Sequence, residues 1–134
     1  MVASMPSPES LNVRNVPLIA IVDDSANMRE ALFGLIGSLG YQAEVFESAE
    51  AFLASTGDRT FDCLILDVAM PGLSGIQLQA RLNEQGSTLP IIFVTSRNDD
   101  ATRDAALKAG ATCFLGKPVE DTELISCLNL ALQT

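Results

Sequence analysis

Four oxygen-bearing side chains and one lysine stand where short apolar runs end. Asp23 and Asp24 follow Leu18 to Val22, Asp67 follows Cys63 to Leu66, Thr95 follows Ile91 to Val94, and Lys117 comes after Phe114 and Leu115. Carboxylates brought together repel by roughly 4 kcal/mol per pair at about 4 Å and an effective dielectric near ~20, so a positive charge must offset them. Hard oxygen donors of this kind suit Mg²⁺, which keeps several waters and takes one or two carboxylates besides phosphate oxygens. Lys117 supplies a second positive charge on a mobile stem. A carboxylate in such surroundings can attack a phosphoryl group, and because that transfer depends on positioning and charge neutralisation, no histidine base is required. Asp67 is the candidate nucleophile, and Thr95 offers a hydroxyl to a phosphoryl oxygen. The chain contains no histidine, which excludes Ser/His/Asp hydrolysis, His-based zinc sites and a phosphohistidine on this chain. A lone aspartate at a strand end is more often a cap or turn residue; the alignment of all these positions is what favours chemistry.

The elements that must position them alternate five times between short apolar runs and helical patterns, the signature of a βα-repeated parallel sheet. Strands are expected at Leu18 to Asp23, Gln42 to Phe46, Asp62 to Asp67, Ile91 to Thr95 and Thr112 to Leu115. Met28, Leu32, Ile36 and Leu39 recur at helical spacing before Gly40,. Ser48 can cap a second helix, Ser74 with Gln77 forms a capping box for a third, and Asp99 or Asp100 opens a fourth that Gly110 closes,. The fifth helix begins near Asp121 and carries Leu124, Ile125, Leu128 and Leu132. The first, third and fourth strands are continuously apolar, as strands covered on both faces are, and belong in the middle; the second and fifth suit the edges. Right-handed crossovers then point to a flavodoxin-like, doubly wound five-stranded parallel sheet of order 2-1-3-4-5 with helices on both faces. Ligands in such sheets bind at the carboxyl ends of the strands where the winding reverses, here between the first and third strands, which is where Asp23, Asp24 and Asp67 fall.

The length of 134 residues predicts one domain,. Residues 1–16, polar and carrying Pro6 and Pro8, are expected to be a flexible tail before a domain spanning 17–134. The tail lacks the apolar stretch of a signal peptide, and no run of about 18 apolar residues occurs elsewhere, so a soluble, cytoplasmic protein without membrane contact is expected. A net charge of −9 repels phosphate backbones and argues against direct nucleic-acid binding,. Cys63, Cys113 and Cys127 each lie in an apolar segment at spacings unsuited to zinc, and the reading is three buried, reduced thiols,.

Val22-Asp23-Asp24-Ser25, Asp67-Val68-Ala69-Met70-Pro71-Gly72-Leu73-Ser74-Gly75, Val94-Thr95-Ser96 and Phe114-Leu115-Gly116-Lys117-Pro118 together resemble the receiver domain of bacterial two-component response regulators. The blocks occur in family order, and the resemblance covers about residues 17–133. It implies that Asp67 is the phosphoacceptor, receiving its phosphoryl group from a histidine kinase or a histidine phosphotransfer protein. It implies that Asp24, Asp67 and the backbone carbonyl of Ala69 ligate Mg²⁺, with Asp23 acting mainly through water. Thr95 and Lys117 would bind the phosphoryl group, the Lys117-Pro118 bond would be cis, and Phe114 would be the aromatic that swings inward on activation. Such domains signal by reshaping the face made by the fourth helix, fifth strand and fifth helix, and have at most slow self-catalysed phosphotransfer and dephosphorylation. Ala69 and Arg97 occupy positions that vary in the family and influence the lifetime of the aspartyl phosphate, and Cys113 and Gly116 replace residues commonly polar or charged there.

Two other readings compete with a phosphoacceptor. An aspartate-nucleophile phosphatase of the haloacid dehalogenase kind uses similar groups but wants a second Asp two places after the nucleophile, where Ala69 stands. A receiver-like module that is never phosphorylated would have no need for the intact set of Asp24, Asp67, Thr95 and Lys117. A phosphate loop at Gly110 to Lys117 is rejected, because five residues separate Gly110 from Gly116 and Pro118 replaces Ser or Thr,. Arg103 and Lys108 read as solvated surface charge more readily than as dimer contacts. Cys127, Leu130 and Leu132 add apolar surface to the last helix that suits a homodimer or output partner as well as it suits a plain core helix. No helix-turn-helix pattern follows that helix, so DNA binding would belong to another segment.

Overall fold

Five short strands alternate with five helices in the computed structural model, which describes residues 16–55 and 60–133. Strands β1 (Leu18–Val22), β2 (Gln42–Phe46), β3 (Cys63–Leu66), β4 (Ile91–Thr95) and β5 (Cys113–Gly116) form one parallel sheet in the order β2-β1-β3-β4-β5. Helices α1 (Ala26–Ser38), α2 (Ala49–Ser55), α3 (Gly75–Glu84), α4 (Asp100–Lys108) and α5 (Asp121–Leu132) connect and cover them. Order, edges and centre agree with the sequence reading. The expected ends differ by one residue where a polar group hands over from the ladder to the site: Asp23, Asp62 and Asp67 lie just outside their strands, and β5 begins at Cys113. All but one of the expected tail residues, 1–16, lie outside the described part of the chain.

The period of two along each strand divides the core into two layers. Ala20, Val22, Leu64, Leu66, Phe93 and Phe114 face one side, where Phe52 of α2, Leu78 and Leu82 of α3 and Ala106 of α4 close over them. Ile19, Ile21, Ile65, Ile92 and Val94 face the other, under Leu32 and Ile36 of α1 and Leu124 and Leu128 of α5. The three central strands are buried almost throughout, which is why they carry no polar residue until their carboxyl ends,.

Helix starts follow local chemistry. Ser25 and Ser74 accept the N–H groups of Met28 and Gln77, Gln77 returns the bond to complete the capping box, Ser48 accepts from Ala51, and Asp99 accepts from Thr102,. Gly40, Gly86 and Gly110 follow three of the helices with φ of 88°, 76° and 105°, the left-handed exit that a side chain would resist,.

The cysteine expectation needs correction: Cys113 and Cys127 are joined in a disulfide, and Cys63 alone is free. Cys113 leaves β5 on the α1/α5 side and Cys127 points inward from α5, which brings their Cα atoms to 6.2 Å, within disulfide range,. Cys127 is therefore part of the core and not of an exposed apolar stripe; Leu130 is the large apolar residue of α5 that faces out, at 59% exposure. Arg103 and Lys108 are exposed, as expected. No helix among the described residues is long and apolar enough to cross a membrane.

Candidate metal and phosphoryl site

The chain turns out of β1 at Asp23, whose N–H still bonds the Phe46 carbonyl at 3.2 Å, and its carboxylate immediately accepts the Ser25 N–H at 2.9 Å. This two-residue turn fixes the Asp23 side chain and delivers Ser25 as the cap of α1. Arg29, one turn into α1, donates from Nη1 to the Asp23 carbonyl at 2.8 Å and locks the same corner from behind. Asp67 continues the β1–β3 ladder by one bond, its N–H reaching the Val22 carbonyl at 3.0 Å, so the ladder itself sets the two acids side by side.

Asp23, Asp24 and Asp67 each bring a carboxylate oxygen within 4.8 Å of the others; Asp23 and Asp67 are buried, and Asp24 faces solvent. Lys117 reaches in from beyond β5, with Nζ at 3.0 Å from Asp23 Oδ2 and 3.3 Å from Asp67 Oδ2. Its backbone N–H donates to the Thr95 carbonyl at 2.9 Å, and the Lys117-Pro118 bond is cis. Thr95 is fully buried, and its hydroxyl accepts the Arg97 N–H at 3.0 Å. Phe114 is turned inward, 5.7 Å from the Phe93 ring.

Charge explains the arrangement. Burial pushes the Asp23 carboxyl above its ordinary value, the negative charge of Asp67 adds to this, and the Ser25 N–H and Lys117 oppose it,. Burial acts to lower the Lys117 ammonium, but the hydrogen bonds and charges of Asp23 and Asp67 prevail and hold it above its usual value. Lys117 thus stays protonated and neutralises one carboxylate of a cluster that carries more than one. Asp67 Oδ1 is buried without a hydrogen-bond partner. An acceptor of that kind costs free energy until something positive meets it. With Asp24 open to solvent beside it, the donor set fits a small, hard dication,.

The loop after Asp67 is held from three sides. Gly75 N–H donates to the Val68 carbonyl at 2.8 Å, and a Cβ at Gly75 would run into the Asp67 carbonyl oxygen. Glu50, from α2, accepts the Leu73 N–H at 2.8 Å. The capping box of Ser74 starts α3 directly behind. An open recess of about 580 Å³ beginning at Val68 and Ala69, the two residues after Asp67, is walled by Met70, Ser74, Arg97 and Thr102.

The structure therefore gathers Asp23, Asp24, Asp67 and Lys117, sets Thr95 and Ala69 at the adjoining strand and loop, and places Phe114 in the core below. The sequence reading placed Ser25 in a motif without its capping role and missed Arg29 and Glu50. An acid two residues before an N-cap was a readable signal for Ser25; Arg29 and Glu50 bond to backbone groups, and no residue pattern announces that.

The family model for the response regulator receiver domain matches residues 19–129. Response regulator protein TmoT of Ectopseudomonas mendocina is 41% identical over 116 residues, covering 87% of this chain and 53% of that protein. Transcriptional regulatory protein FixJ of Bradyrhizobium diazoefficiens is 39% identical over 115 residues, 86% of this chain and 56% of its own length. The chain thus spans about half the length of the curated relatives it matches. Among solved structures, Vibrio cholerae chemotaxis protein CheY4 superposes with a TM-score of 0.80 at 26% identity, over 87% of this chain and 99% of that one.

Proposed function

Since this chain belongs to the response regulator receiver domain family, we propose that Asp67 is its phosphoacceptor and that a histidine kinase or histidine phosphotransfer protein in the cytoplasm is the donor. The observation that carries the assignment is the buried, unpartnered Oδ1 of Asp67 beside two further carboxylates and the Lys117 ammonium. Asp24, Asp67 and the carbonyl of Ala69 would hold Mg²⁺, with Asp23 acting through water; the ion would supply charge neutralisation for the acids and the arriving phosphoryl oxygens. The chain's own groups do the rest. An Asp67 carboxylate oxygen forms a bond to phosphorus as the donor's P–N bond breaks. Lys117 shifts from the carboxylates to the phosphoryl oxygens, and the Thr95 hydroxyl turns from the Arg97 N–H to the same group. A phosphoryl group adds about −1.5 to −2 charge at this rim. That is large enough to tip a balanced packing equilibrium.

The change would be read through Thr95 and Phe114. Thr95 pairs with Gly116 in register and Phe93 pairs with Phe114, so movement of the Thr95 end of β4 is felt by the aromatic pair two positions below. Phe114 is the switch residue of this reading, and its inward pose is the one the structure holds. The face formed by α4, β5 and α5, with Leu107 and Leu130 exposed, would carry the signal to an output partner or a second copy. Ala69 has no proton to donate two places after the nucleophile, so the reading is a signalling domain with at most slow self-dephosphorylation, not a phosphatase.

Labelling with a small-molecule phosphodonor tests this. Asp67→Asn and chelation of Mg²⁺ should each reduce phosphorylation by at least about 100-fold, as loss of a nucleophile or of its charge neutralisation demands. Full labelling after both changes would rule Asp67 out.

A further inference from the structure

The disulfide between Cys113 of β5 and Cys127 of α5 lies outside the acid cluster, and the fold separates these two cysteines chemically from the third. Cys113 is half-buried on an edge strand, while Cys127 is 6% exposed on the inner side of α5. Cys63 is fully buried in a central strand, and desolvation pushes its thiol up to about 12, so it is neither reachable nor nucleophilic,. Of the three cysteines, Cys113 is the most exposed, and its sulfur is the one an incoming thiolate would meet first.

The bond is not a substitute for a core. Disulfides of that kind belong to chains too small to bury enough apolar surface, whereas both layers here are filled by their own apolar clusters. What it constrains is local. It ties β5 to α5 across a sequence separation of 14, enclosing Phe114 and Lys117. Cys113 and Phe114 leave β5 on opposite faces, so the staple and the Phe93–Phe114 contact grip the same strand from its two sides.

We propose that Cys113–Cys127 is a dithiol–disulfide exchange site, whose co-substrate is a dithiol, and that its state sets how firmly α5 is held to β5. It would be a redox input to the α4-β5-α5 face, separate from phosphorylation of Asp67. In the reductive direction a thiolate of the dithiol attacks Cys113 Sγ, the Cys113–Cys127 bond breaks, and Cys127 leaves as a thiolate that takes a proton. The second thiol of the dithiol then attacks the mixed disulfide and releases Cys113 as a thiol. Two electrons and two protons pass to this chain and the dithiol becomes a disulfide; the reverse reaction closes the staple. The chemistry stands without the receiver reading, and only its meaning for signalling rests on that reading.

The test uses the whole chain equilibrated with reduced and oxidised dithiothreitol in varied ratio, quenched in acid, alkylated with N-ethylmaleimide and weighed intact. With alkylation carried out in denaturant, the expected result is a two-electron transition between a species carrying one label, on Cys63, and a species carrying three. Cys113→Ser and Cys113→Ala should each abolish the transition, and Asp67→Asn should leave it in place, so a failed phosphoacceptor assignment and a failed redox assignment give different results. Amide hydrogen exchange in α5 should be at least about tenfold faster in the reduced form, reporting local opening. The proposal is overturned if Cys113 and Cys127 label fully under oxidising ratios, if the bond survives excess dithiol in the folded protein, or if α5 exchanges alike in both forms.

Discussion

The two oxygens of Asp67 have different surroundings: Oδ2 takes a hydrogen bond from Lys117 at 3.3 Å, and Oδ1 is buried with none. That asymmetry was not visible in the residue string, which showed only that an acid ends an apolar run. What was visible was the type and order of the groups, because each central strand must stay apolar until it leaves the sheet, and a polar residue at that point reaches the rim. The close approach of α3 to the site was hidden for the opposite reason, since it depends on a missing side chain. A methyl at Gly75 would meet the Asp67 carbonyl oxygen and lie 3.1 Å from the Phe93 ring. Backbone and a buried ring cannot step aside cheaply, so Gly75→Ala should lower stability by about 1–3 kcal/mol in urea titration. It should also slow phosphorylation of Asp67 by at least about tenfold, because displacing the nucleophile's backbone spoils alignment. Normal phosphorylation kinetics in a destabilised Gly75→Ala protein would show that α3 supports the fold and not the site.

At the scale of elements, the strands and helix starts were legible and the ties between distant segments were not. Continuous apolar runs announced β1, β3 and β4, and Ser74 with Gln77 announced α3, since a cap depends on residues three apart. Ser74→Ala should cost about 1 kcal/mol, read as a lower urea midpoint with unchanged slope. The Cys113–Cys127 bond escaped because an odd number of cysteines in apolar segments says nothing about which two meet when a strand and a helix pack. Glu50 escaped likewise: its partner, the Leu73 N–H, is 23 residues away. That bond holds the Glu50 carboxyl below its ordinary value of 4.5, with the Arg81 charge contributing last. A depressed carboxyl stabilises the folded loop above its unfolded pKa and loses that contribution as pH falls through the lower folded value. The Leu73 amide resonance should therefore shift as pH is lowered from about 6 to about 3, with a midpoint below that of an ordinary glutamate. Glu50→Gln should remove the titration while keeping an acceptor in place, and an unchanged Leu73 titration in that variant would assign the shift to another acid.

Across the whole molecule, a chain of net charge −9 concentrates three acids at one rim of its sheet and places a single lysine among them. The surrounding negative charge raises the local concentration of cations. The buried part of the cluster is screened by salt less than surface pairs are. The apo protein consequently bears a repulsion that cation binding relieves, and a ligand that binds only the folded state stabilises it by mass action, about 2.7 kcal/mol at 100 times its dissociation constant. Mg²⁺ should raise the melting temperature in a concentration-dependent way. Asp24→Ala tests the source of that rise, because Asp24 is exposed and its truncation opens no cavity. Without Mg²⁺ the variant should melt at or above the wild type, having lost one repulsive partner; with saturating Mg²⁺ it should melt below it. That crossing of the two curves distinguishes a cation held by these carboxylates from one bound diffusely by the acidic surface, which would raise both proteins alike.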